Sequence, residues 1–61
     1  MDMMNEVFNW VVANGYKDLN EWACDSDYRR VGRESYRDED GNDVDIWECA
    51  YYAMEASREV N

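Results

Sequence analysis

The chain is predicted to fold as a small α+β domain of 61 residues, in the order N-terminal helix, short second helix, β-hairpin, C-terminal helix. Three observations carry this expectation. Apolar residues recur at helical spacing near both ends, aspartates stand where helix starts need caps, and Asp40-Gly41 separates two stretches of strand-forming residues. The competing architecture is all-α, with three helices and no paired strands.

In the first segment Met3, Met4, Val7, Phe8 and Val11 fall on one helical face, with Asp2 placed to cap the start and Asn14-Gly15 placed to end it. Trp10 and Val12 widen the apolar stripe beyond what one small partner can cover. That width predicts burial on two sides or a contact with another chain. Asp18 is positioned to cap a second helix through Leu19, Trp22, Ala23 and Cys24, which then meets the turn-prone Asp25-Ser26-Asp27. Two turns of helix are not stable alone in water, so Leu19 and Trp22 are expected to dock on the first helix.

From Tyr28 to Ile46 the strand formers Tyr28, Val31, Tyr36, Val44 and Ile46 flank Asp40-Gly41, a dipeptide suited to the positive backbone angles of a hairpin turn. This predicts two strands, one bearing arginines. Arg33 or Arg37 would lie across from Asp43 or Asp45, each cross-strand pair contributing a few tenths to about 1 kcal/mol. The last helix should run from about Asp45 to Glu59. It sets Ile46, Cys49, Ala50, Ala53, Met54 and Ser57 on a packing side, and Glu48, Tyr52, Glu55 and Glu59 on the opposite side. Trp47 and Tyr51 flank the seam.

A chain of this length forms one domain, residues 1–61, and a marginal one: about 60% of its unfolded surface is buried on folding. Nine aromatics, among them Trp10, Trp22 and Trp47, supply large buried areas and argue against disorder. Fifteen acids oppose six bases, for a net charge of −9 without histidine. Residues 1–27 hold six acids against Lys17, residues 28–37 hold four arginines against Glu34, and residues 38–61 hold eight acids against Arg58. The arginine island is expected to neutralise carboxylates within the fold, and the acidic field points to cationic partners.

Nothing at the N-terminus reads as a signal peptide, since Asp2 and Glu6 stand where positive charge belongs, and no apolar run is long enough for a membrane span. The expected location is cytoplasmic, with no membrane partner. Cys24 and Cys49 are therefore expected as free, partly buried thiols. Asp38, Asp40 and Asn42 have the one-three-five spacing of a calcium loop, but the glycine comes at the fourth position and Cys49 occupies the place of the bidentate glutamate. No metal site and no cofactor are expected. Catalysis is disfavoured: there is no histidine to act as base, no Gly-rich phosphate loop, and the carboxylate field opposes thiolate formation. Direct nucleic-acid binding is disfavoured by the same field.

On the outer stripe of the last helix, residues four apart rise by about 6 Å and residues seven apart by about 10.5 Å, steps similar to the spacing of backbone phosphates. Asp38, Glu39, Asp40, Asp43 and Asp45 at the hairpin tip could continue a track formed by Glu48, Glu55 and Glu59, with Tyr51 and Tyr52 as flat surfaces where a groove expects bases. In composition alone, with no motif involved, the chain resembles the small acidic proteins with which phages inhibit host defence or DNA-processing enzymes. That resemblance implies an inhibitor acting in the host cytoplasm on the basic surface of a nucleic-acid-handling protein. The alternative is a homodimeric structural or regulatory adaptor whose acids serve only solubility and whose wide first helix forms the seam.

Overall fold

The structure, a computed structural model, describes residues 2–59. Helix α1 (Met3–Ala13) starts where the Asp2 carboxylate accepts from the Met4 amide at 3.0 Å. It ends in a Schellman turn: Gly15 takes φ +92°, its amide donates to the Val12 carbonyl, and the Tyr16 amide reaches back to Val11. Helix α2 (Leu19–Asp25) is opened by Asp18, whose carboxylate accepts from the Glu21 amide at 2.9 Å, while Glu21 accepts in return from the Lys17 amide. It closes by the same device as α1, with Asp27 at φ 69° in the glycine's place and the Tyr28 amide donating to the Ala23 carbonyl.

The middle of the chain has one strand more than expected. Strands β1 (Arg29–Arg30), β2 (Tyr36–Arg37) and β3 (Asp43–Val44) form an antiparallel sheet in that order. The segment expected as one arginine-bearing strand folds back on itself at residues 31–35. The Arg30 guanidinium holds this turn by donating to the carbonyls of Gly32 at 3.0 Å and Arg33 at 2.7 Å, and the Val31 amide donates to Ser35. The all-α alternative is excluded by this sheet. Asp40-Gly41 does lie in the β2–β3 turn, but only Gly41, at φ +83°, has a positive angle. The Gly41 amide donates to the Asp38 carbonyl and the Asp38 amide to Asn42, the pattern of a three-residue loop with a glycine bulge rather than of a two-residue turn.

Helix α3 (Ile46–Glu59) begins at Asp45, whose carboxylate accepts from the Trp47 amide at 3.1 Å. It buries Ile46, Ala50 and Met54 against Val7 and Val11 of α1, Trp22 and Ala23 of α2, and Tyr36 of β2. The small Ala50 and Ala23 side chains, both fully buried, allow α3 and α2 to approach closely. Trp22 docks on α1 through Trp10, with ring centroids 6.3 Å apart, and Trp10 Nε1 donates to the Ser57 hydroxyl at 3.3 Å. The Tyr36 hydroxyl ties the sheet to α2 by donating to Asn20 at 2.9 Å.

The apolar stripe of α1 is wider than the fold covers: Met3, Met4, Phe8 and Val12 are exposed, because α2 and α3 cover only the sector holding Val7, Val11 and the half-buried Trp10. One expectation about burial is corrected. Cys24, expected to be partly buried, is exposed at the end of α2, whereas Cys49 is half-buried; both are free thiols.

Candidate functional site

The acidic surface is built from two elements, the outer stripe of α3 and the β2–β3 tip. On α3 the four-three-four spacing sets Glu48, Tyr52, Glu55 and Glu59 along one side, away from buried Ile46, Ala50 and Met54. Glu48, Tyr52 and Glu59 are exposed, and Tyr52, at 63%, is an outward ring rather than a packed one. Glu55 differs: it is half-buried and accepts a hydrogen bond from the Tyr51 hydroxyl, which raises the Tyr51 pKa by favouring the neutral phenol. Tyr51 is itself half-buried, with its ring edge-on to Tyr52 at 5.8 Å. The two tyrosines therefore have different roles, Tyr52 open to a partner and Tyr51 holding a carboxylate.

At the tip, the carboxylates also divide into engaged and open. Asp38 Oδ1 accepts from the Asp40 and Asn42 amides, both at 2.9 Å, and so stabilises the turn. Asp43 pairs with Arg37 across the hairpin at 3.2 Å, which realises one of the two cross-strand pairs expected; Arg33 lies in the β1–β2 turn and does not pair. Asp45 caps α3. Glu39 and Asp40, like Glu48 and Glu59 on α3, make no side-chain hydrogen bond or ion pair among the described residues.

One acidic residue joins this surface that sequence reading left out. Asp27, at the left-handed end of α2, lines a concavity of about 330 Å³ with Ser26, Tyr28, Asp38, Glu39 and Asp40. Its place there follows from the β1–β2 fold-back, which no local signal announced. Tyr28 connects this concavity to α3: its hydroxyl meets the Cys49 thiol, and that contact, then burial and the neighbouring Asp38 charge, raise the phenol pKa. The ring of Tyr28 lies against Trp22 at 5.8 Å. Among the described residues, no set of three or more carboxylate or thiol groups converges as metal ligands.

The arginine island is used less for neutralisation than expected. Arg37 pairs with Asp43, Arg30 is turned onto its own loop's carbonyls, and Arg29 and Arg33 are exposed with no ion pair among the described residues. No helix among the described residues is long and apolar enough to cross a membrane. None of the family models, curated proteins or solved structures compared with the chain matches it.

Proposed function

We propose that the protein is a non-catalytic binder that occupies a cationic site on a nucleic-acid-handling protein, presenting carboxylates where that site expects phosphates. One observation carries this reading: Glu48, Tyr52 and Glu59 stand exposed along one side of α3, two open charges around an outward aromatic ring. Glu39 and Asp40 at the tip extend the negative field. Charge attracts and orients the partner, while Tyr52 supplies area that becomes buried on contact. Asp38, Asp43, Asp45 and Glu55 act chiefly by holding the tip and the helix in shape. Tyr51 acts the same way, by holding Glu55.

The test is a pull-down with tagged protein from bacterial lysate, washed in rising salt and competed with DNA or RNA. A nucleic-acid-binding protein that leaves at moderate salt and is displaced by nucleic acid supports the reading. The double variant Glu48→Lys and Glu59→Lys should then lose that partner while keeping its far-ultraviolet circular dichroism. A partner held equally well by the double variant, or indifferent to salt and nucleic acid, would overturn it.

A further inference from the structure

The first turns of α1, α2 and α3, together with the β1–β2 turn, border a concavity of about 430 Å³. That volume lies toward the low end of small-molecule pockets, which run from about 300 to 1,000 Å³. Its lining is mostly apolar: Tyr36 and Ile46 are buried, Leu19 and Trp47 half-buried, and Met4 exposed. The Tyr36 hydroxyl already donates to Asn20, so this residue offers its ring rather than a donor.

Three charged residues complete the lining, and they are of both signs. Arg33 and Glu34 come from the β1–β2 turn and Asp45 from the start of α3. Arg33 and Glu34 are neighbours in sequence, yet neither side chain makes a hydrogen bond or ion pair among the described residues. Asp45 uses Oδ1 to cap α3, and its Oδ2 accepts no hydrogen bond among the described residues.

We propose that this concavity binds a free apolar α-amino acid of about leucine's size, with its carboxylate on Arg33, its ammonium on Asp45 and Glu34, and its side chain against Ile46, Trp47 and Tyr36. The lining charges select that class. A simple anion would meet two carboxylates in a chain of net charge −9, and a simple cation would meet Arg33. A zwitterion is net neutral and gives each lining charge an opposite partner, while the apolar lining favours a hydrocarbon side chain. The charged contacts are exposed, so binding is weak, with a dissociation constant on the order of 1 mM. The site uses none of Glu48, Tyr52 and Glu59 and does not depend on the binding function proposed above.

Calorimetric titration of the full chain with L-leucine tests this. Tryptophan fluorescence gives a second readout, because Trp47 lines the concavity while Trp10 and Trp22 do not. Leucine should bind saturably. Glycine, with both charges but no apolar side chain, should bind more weakly by about tenfold or more. N-acetyl-leucine, without the ammonium, and leucinamide, without the carboxylate, should each bind more weakly by about threefold. In Arg33→Gln, leucine should no longer bind better than leucinamide. In the double variant Glu34→Gln and Asp45→Asn, it should no longer bind better than N-acetyl-leucine, and the asparagine keeps the helix cap, so circular dichroism should be unchanged. No saturable binding by about 10 mM leucine overturns the proposal, as does glycine binding as tightly as leucine, or discrimination that survives in both variants.

Discussion

Met54 is the largest side chain with no solvent exposure, and truncating it to alanine tests the account of the core most directly. It lies on α3 in the cluster with Val7 and Val11 of α1, where α1, α2 and α3 converge. A buried methionine cut to alanine loses its transfer free energy and leaves a cavity that a packed interior refills only in part, at a cost of about 2–5 kcal/mol. A domain of this size has a total stability of roughly 3–9 kcal/mol. Met54→Ala should therefore remove about a fifth of the stability at least and, at the upper end of its cost, unfold the chain. Urea titration followed by tryptophan fluorescence reads this out, because Trp10 and Trp22 line the same core. With a slope of about 1 kcal/mol per molar urea, the midpoint should fall by about 2 M or more. Met54→Leu, which keeps the volume, should cost less than about 1.5 kcal/mol. A Met54→Ala variant within about 0.5 kcal/mol of wild type would refute the packing described for α1 on α3.

Gly15→Ala should destabilise by roughly 1–2 kcal/mol through backbone strain alone, since φ is +92° and an added Cβ meets nothing within 4 Å; thermal melts read it as a clear drop in Tm. Alkaline pH should weaken the fold. Tyr16, donating to Asp25, Tyr51, donating to Glu55, and Tyr28, against Cys49, all have raised pKa values. The folded state therefore keeps its phenolic protons to higher pH than the unfolded chain does, and stability present below about pH 10 is lost as pH rises through the folded-state values. Absorbance titration should show these phenols ionising later than those of the urea-unfolded chain, and coincident curves would contradict the hydrogen bonds.

Helix starts, helix ends and the α+β class were legible because they are local. Asp2, Asp18 and Asp45 each accept an amide within three residues, and Gly15 marks its own turn. The third strand was not legible, because Arg29–Arg30 pairs with Tyr36–Arg37 through a turn whose carbonyls are satisfied by the Arg30 side chain, a bond invisible to strand propensity. Helical spacing also left open how much of the apolar stripe of α1 the fold covers. It shows which residues share a side, but not how wide a sector the neighbouring helices cover, and Met4 and Phe8 fall outside it. On the acidic surface the stripe of α3 was readable from periodicity. The division between carboxylates that hold the turn and those that stand open depends on side-chain geometry, and Asp27 reaches the tip only through strand pairing.

The bond from Trp10 to Ser57 spans 47 residues, and it shows how the fold has to assemble. Contacts of α2 with β1, and of each strand with the next, join neighbours along the chain and can form early with little loss of loop entropy. The seam between α1 and α3 joins the first and last helices, so its closure must enclose everything between them. That seam also encloses Val7, Val11, Ala50 and Met54. The fold is therefore latched by its two outermost helices: when α1 lifts away, α2 and the sheet keep their local bonds while the apolar centre opens to water, so protection of α1 amides from solvent exchange would report directly on whether the latch is shut.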